Sequence, residues 1–264
     1  MTQFVEETVQ AALPGGPLAY TLRRSVRARH VRVVVDPRQG AIVTVPGGRR
    51  LGAAAGHRLA EDFVRDREAW IRRHLERQAH QRAVHEARGP LGPGATIRYA
   101  GQEHVLAVVP AVPGRRRATV LLDAGGSVLV VRPAERDPRP LERILEDWCR
   151  DRARAAIDAA IASHASALRV QPTAVTIRDP RSRWGSASRT GRLSFSWRLV
   201  LAPPEALETV VVHELAHLRV FGHGPRFWAL VASRRSDHRA WRRWLHDHSI
   251  ELHEVFREPA GAAA

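Results

Sequence analysis

Three histidines and one glutamate stand close together in an otherwise apolar run, VVVHELAHLRVFGHGPRFW, residues 210–228. His213 and His217 are four residues apart, so on a helix their side chains lie about 40° apart on one face. Two imidazoles side by side are what a tetrahedral zinc ion requires of two ligands. Glu214 is near enough to reach a zinc-activated water without ligating the metal. The spacing therefore predicts a hydrolytic zinc site of the H-E-x-x-H type.

His223 is the candidate for the third ligand. Gly222 and Gly224 flank it and let the backbone turn, so that its imidazole swings back toward the other two. Three histidine ligands would leave the fourth position open for water, as catalytic zinc sites do. The chain has 14 histidines, and a chance H-E-x-x-H in such a chain has odds of roughly a few per cent. The prediction therefore depends on the surrounding helix as much as on the motif.

The helix expected to carry the motif covers residues 203–221, with prolines in its first turn and Gly222 just past its end. Glu214 falls within the apolar stripe of this helix, His217 lies at the edge of the stripe, and His213 lies further out. A carboxylate on a buried face must have a partner, be protonated or take part in catalysis. A zinc ion with its water would supply the partner. The stripe consists of Leu207, Val210, Val211, Leu218 and Phe221.

Hydrophobic periodicity indicates the elements that must position this helix. The first half reads as short β-branched strands with one helix, and the second half begins with a long amphipathic helix. We see no internal repeat. The predicted elements are a hairpin at 30–46, a helix at 53–78, a second β-rich block, the long helix at 141–170, a strand at 173–179, a loop at 180–191, a strand at 192–202, the motif helix and a final helix at 237–248.

Residues near the motif suggest a cleft beside it. The strand at 192–202 could form the rim and hold an extended peptide along a free edge, or be an ordinary sheet edge. Trp184 and Gly185 could shape the loop under the cleft or be purely structural. The chemistry requires a group that stabilises negative charge, and His238 or Arg183 are candidates. Solvated roles are expected for a set of C-terminal histidines, His238, His246, His248 and His253.

Composition indicates a soluble cytoplasmic protein without a membrane partner. Hydrophobic residues make up 44%, the N-terminus lacks a signal peptide, and no apolar run approaches the roughly 20 residues of a membrane helix. Cys149 is the only cysteine, which excludes an internal disulfide and a cysteine-based zinc site. The formal charge is +15 and all 42 basic residues are arginine, which would suit nucleic acid, but their dispersal is typical of solvated faces.

Several linked motifs resemble the YgjP-like metallopeptidases, relatives of the SprT-like zinc proteases. RWGSAS, LSFSWRLVLAPPE, VVVHELAHL and HGPRFW carry the resemblance in order and spacing, and RRSVRARHVRVVVDP, VTVP and FVRDREAWIRRHL extend it over about residues 20–250. The resemblance implies zinc ligands at His213, His217 and His223 and a catalytic base at Glu214. The chain departs from the usual pattern at Ala187, Thr209 and Gly224, and none of these changes removes a ligand.

With the resemblance, the predicted fold class is α+β, in which a β-rich N-terminal half precedes a compact zincin-like metal-binding domain with the H-E-x-x-H helix. We expect a flexible leader at 1–18 and a β-rich region with one helix at 19–137. A zincin-like zinc hydrolase domain is expected at 138–255, and a disordered tail at 256–264.

The leading hypothesis for function is a zinc metallopeptidase in which Glu214 acts as general base on a zinc-activated water. Two alternatives stay open. A zinc-dependent nucleotide phosphohydrolase, of the nucleoside triphosphate pyrophosphatase type, would use the same metal ligands, with arginines near 181–183 holding phosphates. A non-catalytic arginine-rich module would bind nucleic acid instead. The expected partner is accordingly a peptide or nucleotide substrate, with weaker support for nucleic acid.

Overall fold

The computed structural model describes residues 5–36, 39–47, 52–87, 90–111, 113–180 and 183–256. The chain divides into two compact units, Met1–Val84 and His85–Ala264. Strands and helices are mixed in both, so the predicted α+β class is confirmed. Within the described ranges, no helix combines the length and apolar character needed to cross a membrane.

The first unit is a four-stranded sheet with helices packed against it. Side chains alternate along its second strand, so that Leu18, Tyr20 and Leu22 are buried, as a strand with one covered face requires. The predicted hairpin is confirmed, whereas the single helix predicted at 53–78 is broken at Arg67. The elements are β1 (Val5–Ala11), β2 (Leu18–Ser25), β3 (Arg32–Asp36), β4 (Gly40–Pro46), α1 (Ala53–Asp66) and α2 (Glu68–Ala87), which continues past the boundary of the unit.

The second unit begins with another four-stranded sheet and the long helix that the sequence predicts. That helix runs for 28 residues and places Leu145, Cys149 and Ile157 in the core. It ends at Arg169, which adopts a left-handed conformation and closes the last turn through its backbone N–H. The elements are β5 (Thr96–Tyr99), β6 (Gln102–Val108), β7 (Thr119–Leu122), β8 (Val128–Arg132) and α3 (Leu141–Leu168).

The two four-stranded sheets have the same topology. Their strand orders are β1-β2-β4-β3 and β5-β6-β8-β7. In each sheet the central pair is parallel and both outer pairs are antiparallel. Helices follow each sheet along the chain. The expectation that the chain has no internal repeat is therefore wrong at the level of topology.

A small three-stranded sheet precedes the motif helix. The predicted strand at 192–202 ends at Ser196 and continues as a 3₁₀ helix, because the Ser196 hydroxyl accepts a hydrogen bond from the Arg198 N–H and turns the chain. The loop predicted at 180–191 contains a short strand. The elements are β9 (Ala174–Arg178), β10 (Gly185–Ala187), β11 (Arg192–Ser196), the 3₁₀ helix η1 (Trp197–Leu201), α4 (Pro204–His217), α5 (Pro225–Ala232), α6 (His238–Asp247) and α7 (Ser249–Glu254), and the sheet order is β10-β11-β9.

The compact units divide the chain differently from the predicted regions. The division lies at 84/85, within α2, whereas the sequence suggested a boundary at 137/138. The segment expected as a leader, 1–18, contains β1, which pairs with β2 from Val5 to Ala11. Of the tail expected at 256–264, residues 257–264 lie outside the described residues.

Candidate metal centre and cleft

The motif lies on α4, and the start of this helix agrees with the predicted start to within one residue. Pro204 occupies the first turn, where a fixed φ and a missing N–H suit a helix. The helix ends at His217, earlier than the predicted end at residue 221. Phe221 lies beyond it and is 55% exposed, so its assignment to the buried stripe is wrong. The helix is buried over most of its circumference, because α3, α6 and β10 all pack against it.

The structure brings the three predicted ligands together. The Nε2 atom of His213 lies 3.2 Å from that of His217 and 3.2 Å from that of His223. With metal–nitrogen bonds of about 2.05 Å in a tetrahedron, two ligating nitrogens lie about 3.3 Å apart. Two of the three nitrogen pairs have this spacing, and the ligand atoms of all three histidines lie within 4.8 Å of one another. The donor set therefore has the chemistry of a tetrahedral zinc site, and its spacing in two of the three pairs.

The ring of Phe227 packs against all three imidazoles. Its ring centroid lies 4.8 Å from that of His213, 4.4 Å from that of His217 and 4.9 Å from that of His223. Phe227 is fully buried on α5, which begins directly after His223. A rigid aromatic surface against all three rings restricts their orientation, so α5 fixes the loop that returns His223 to α4.

His217 is oriented by a backbone carbonyl. Its Nδ1 lies 3.3 Å from the carbonyl oxygen of Val220, in the turn that follows α4. When Nδ1 donates its proton to that oxygen, Nε2 carries the lone pair toward the other imidazoles. This arrangement is the usual outer-shell support of a histidine ligand.

Burial keeps the imidazoles of His213 and His217 neutral. Burial, with smaller contributions from His217 and His223, lowers the pKa of His213 to about 3. Burial also lowers the pKa of His217, against the opposing effect of the Val220 carbonyl. Neutral imidazole is the form that ligates a metal, so no proton has to be expelled from these rings at neutral pH.

Glu214 is buried beside the histidines without a partner. It is 6% exposed, and no described residue forms a hydrogen bond or ion pair with its carboxylate. Burial raises its pKa to about 7, although Arg183 opposes the shift. Gly185 packs directly against it, since a Cβ there would lie 2.7 Å from Glu214 Cγ and 2.8 Å from its Oε1. Only glycine allows this close approach of β10 to the carboxylate.

His213, His223 and Glu214 line a cleft of about 470 Å³. Among its described lining residues, Glu214 is the only acidic one, and the guanidinium groups of Arg183 and Arg242 form no ion pair with the described part of the chain. Arg242 stacks over Trp228, 4.3 Å from the ring centroid. The lining consists of Arg183, Trp184, Gly185, Thr209, Val210, His213, Glu214, His223, Arg242, Leu245, His246 and Ser249.

Strand β10 presents its outer edge beside this cleft. Trp184 and Ser188 form the hydrogen bonds to β11 on either side of β10. In an antiparallel pair such residues alternate with residues whose backbone groups point away from the partner strand. The N–H and C=O groups of Gly185 and Ala187 therefore face outward. The edge that the sequence assigned to strand 192–202 belongs to β10, because β11 is paired on both sides.

The two candidates for charge stabilisation differ in position. Arg183 lines the cleft, whereas His238 does not. His238 is 5% exposed and stacks on Trp228 with 5.3 Å between ring centroids, so its expected solvated role is wrong. His248 and His253 are also partly buried, and each Nδ1 meets the carbonyl oxygen four residues earlier. His246 is exposed and lines the cleft.

Sequence reasoning missed Phe227 and Arg242. Phe227 stands four residues after His223 in a run that begins with a helix-starting proline, and this spacing could have placed it next to that histidine. Arg242 is one of many arginines in the chain, and nothing in its sequence context distinguishes it. Its position depends on the packing of α6 against α4, which the sequence does not encode locally.

Comparison with known proteins agrees with these observations. The family model described as YgjP-like, metallopeptidase domain, matches residues 29–248. The chain therefore belongs to the YgjP-like family, whose domain is of the metallopeptidase type. No curated protein and no solved structure matches the chain.

Proposed function

We propose that this YgjP-like chain is a zinc-dependent peptide hydrolase of zincin type, with His213, His217 and His223 as zinc ligands and Glu214 as general base. The observation that carries the proposal is the convergence of three Nε2 atoms, 3.2 Å apart in two pairs, beside a buried carboxylate without a partner. Three imidazole nitrogen donors and a nearby carboxylate form the usual set for metal-assisted hydrolysis.

When bound, a zinc ion would supply the Lewis acidity that activates water and polarises a carbonyl group. Glu214 takes the proton of the attacking water on its carboxylate and passes it to the departing amine nitrogen. A pKa of about 7 suits a group that both accepts and returns a proton near neutral pH. Gly185 holds the carboxylate in place from the opposite side.

The outer edge of β10 is suited to hold the substrate. Gly185 and Ala187 point backbone donors and acceptors outward, so an extended peptide can pair with them as an added strand. Gly185 also contacts Glu214, which lies next to the histidine ligands. The backbone that aligns the peptide is therefore the backbone beside the proposed general base.

Arg183 and Arg242 are suited to stabilise negative charge that develops on the substrate. Both line the cleft and neither forms an ion pair within the described part of the chain. A guanidinium group in a partly enclosed cleft interacts with a developing oxyanion more strongly than it would in water.

The test combines metal analysis with peptide hydrolysis. Glu214→Gln should keep stoichiometric zinc and lose about 10³-fold in kcat, because it removes proton transfer and leaves the ligands intact. His217→Ala should lose bound zinc. Glu205→Gln is the matched control, since Glu205 is an exposed glutamate on the same helix. Full activity of Glu214→Gln, or full zinc occupancy of His217→Ala, would contradict the proposal.

A nucleotide phosphohydrolase is the second candidate, and the two arginines of the cleft favour it. Guanidinium groups without carboxylate partners bind phosphate oxygens well. Under this alternative, the protein releases phosphate or pyrophosphate from nucleoside triphosphates without cleaving peptides. Arg242→Ala would then raise the KM for the nucleotide about tenfold, the loss of one charge-assisted contact.

A further inference from the structure

The three-stranded sheet has one open face that carries arginines and hydroxyl groups. In register across the strands, Thr176 on β9 lies beside Ser194 on β11, which lies beside Ser186 on β10. Arg178 lies two residues beyond this row along β9, Arg192 lies two residues before it along β11, and both are exposed. All five residues line one depression of about 450 Å³. We call this surface the arginine face.

The arginine face is continuous with two neighbouring depressions. It shares Arg183 and Gly185 with the cleft of the candidate metal centre. At its other end it shares Ser188 with a smaller depression of about 200 Å³. That depression is lined by three more arginines and an aromatic residue, Arg169, Arg189, Arg219 and Phe221.

The charge of this surface is uncompensated. Among the described lining residues of the arginine face and the smaller depression there is no aspartate or glutamate. Arg178 and Arg192 form no ion pair with any described residue, and the nearest carboxylate in sequence, Asp179, is already paired with Arg198 at 2.8 Å. Exposed guanidinium groups placed together repel one another, and a bound polyanion would relieve that repulsion.

Side chains rather than backbone groups are available on this surface. The backbone hydrogen bonds of a sheet lie in its plane, so a peptide laid across the face gains no strand pairing there. Arginine and hydroxyl side chains are the groups that proteins use most to contact phosphate oxygens. The face therefore suits a phosphate backbone better than an acidic polypeptide.

The dimensions of the arginine face suit a single phosphate backbone rather than two. Three strands about 4.8 Å apart make a surface about 10 Å wide. Along the strands, Arg178 and Arg192 are offset by four residues, or about 13 Å at about 3.3 Å for each residue. Phe221 is 55% exposed at one end, with the Arg189 guanidinium 5.8 Å from its ring centroid. An exposed aromatic ring beside a basic groove is a platform on which an unpaired base stacks.

We propose that the arginine face binds single-stranded nucleic acid, with Arg178 and Arg192 on the phosphate backbone and Phe221 stacking on a base. This binding is independent of the proposed zinc chemistry, because none of the three residues belongs to the metal centre. It accounts for part of the net charge of +15 as a binding surface.

The test is fluorescence anisotropy of the full-length protein with a labelled oligothymidylate of about 20 nucleotides. Arg178→Ala/Arg192→Ala should raise Kd about tenfold and lower the slope of log Kd against log salt by about 1.4, the value for two lost phosphate contacts on a single strand. Arg115→Ala/Arg116→Ala is the matched control, with the same charge change on an exposed loop elsewhere in the second unit, and should change Kd less than about twofold. Equal losses in both double variants would overturn the proposal.

Two further measurements test the ligand and the independence from the metal. Phe221→Ala should weaken oligothymidylate binding about fivefold and leave binding of inorganic polyphosphate, which has no bases, unchanged. His217→Ala should bind the oligonucleotide like the wild type. Tighter binding of a duplex, or equal competition by poly-glutamate, would overturn the assignment to single-stranded nucleic acid.

Discussion

Glu214 and Gly185 act as a pair across the base of the cleft. The carboxylate is buried on α4, and the glycine on β10 leaves it just enough room. A carboxylate held between a helix and a strand cannot rotate freely, which keeps it within reach of a water molecule near the histidines. The missing side chain at residue 185 is thus as important for the cleft as the side chain at residue 214.

Replacing Gly185 should therefore impair turnover without removing the metal. In Gly185→Ala the added Cβ would meet Glu214 at 2.7 Å, so the carboxylate must move. A displacement of about 1 Å at a catalytic group costs about 10²-fold in rate. We expect kcat for peptide hydrolysis to fall by this factor while zinc content, measured by atomic emission, stays unchanged.

Gly224→Ala is the control for this prediction. Gly224 also adjoins the metal centre, but a Cβ there meets nothing within 4 Å and its φ of −74° suits any residue. Its kcat should remain within about twofold of the wild type. Comparable losses in the two variants would mean that the contact with Glu214 is not what matters at residue 185.

Arg198 shows how long-range contacts decide the burial of a residue on the strand predicted at 192–202. Alternation predicts that it faces solvent, yet it is 7% exposed. Its guanidinium group donates to both carboxylate oxygens of Asp179 and to the Leu252 carbonyl, and it stacks 4.2 Å from the Trp197 ring centroid. Asp179 is 19 residues away in sequence and Leu252 is 54 residues away, so no local pattern reveals these contacts.

At the scale of elements, helix boundaries that local residues mark were predicted correctly. Features that depend on individual hydrogen bonds and tertiary contacts were not. The helix α3 lacks breakers and was placed within two residues of its end, and Pro204 marks the start of α4. The 3₁₀ helix η1 was predicted as strand because its apolar residues continue the alternation of β11. Its turn depends on the Ser196 hydroxyl, a single hydrogen bond that periodicity cannot detect.

The connection between β8 and α3 contains a hydrogen-bonded carboxylate that should make stability depend on pH. Asp137 accepts hydrogen bonds from the Arg139 guanidinium and from the Ala118 N–H, which holds its pKa well below the usual range. A carboxylate with a lowered folded-state pKa stabilises the protein above its unfolded pKa of about 3.9, and this contribution is lost as pH falls toward the folded-state value.

Asp137→Asn should accordingly lower the free energy of unfolding at about pH 6, and the difference from the wild type should shrink as pH falls below about 4. Urea unfolding at stepped pH measures it. Asp151→Asn, an exposed aspartate on α3, should show little difference at any pH. A difference for Asp137→Asn that stays constant down to about pH 3 would contradict the linkage to its carboxylate.

At the scale of the whole molecule, the proposed metal ligands all belong to one compact unit. His213, His217 and His223 lie in His85–Ala264, and the first unit has a separate hydrophobic core. A ligand stabilises only the unit that binds it, provided that the two units unfold independently. Zinc binding and the stability of the first unit should therefore be uncoupled.

Calorimetry of the full chain should show two unfolding transitions, and zinc should raise the Tm only of the transition that belongs to the second unit. Zinc at about 1,000 times its Kd adds about 4 kcal/mol, which raises the Tm of a unit of this size by about 10 °C. The other transition should not move, and His217→Ala should abolish the shift. A single transition, or equal shifts of both, would contradict the independence of the two units.

The repeated topology of the two four-stranded sheets has a consequence for how the chain folds. One central strand of each sheet is a short apolar strand, β4 in the first sheet and β8 in the second, so the two can compete for the same partner strands when the whole chain is unfolded at once. During synthesis, however, the first sheet is complete before β5 leaves the ribosome, because domains generally fold as units from the N-terminus. The order in which the chain emerges thus separates two sets of competing strands in time, a protection that refolding from denaturant lacks.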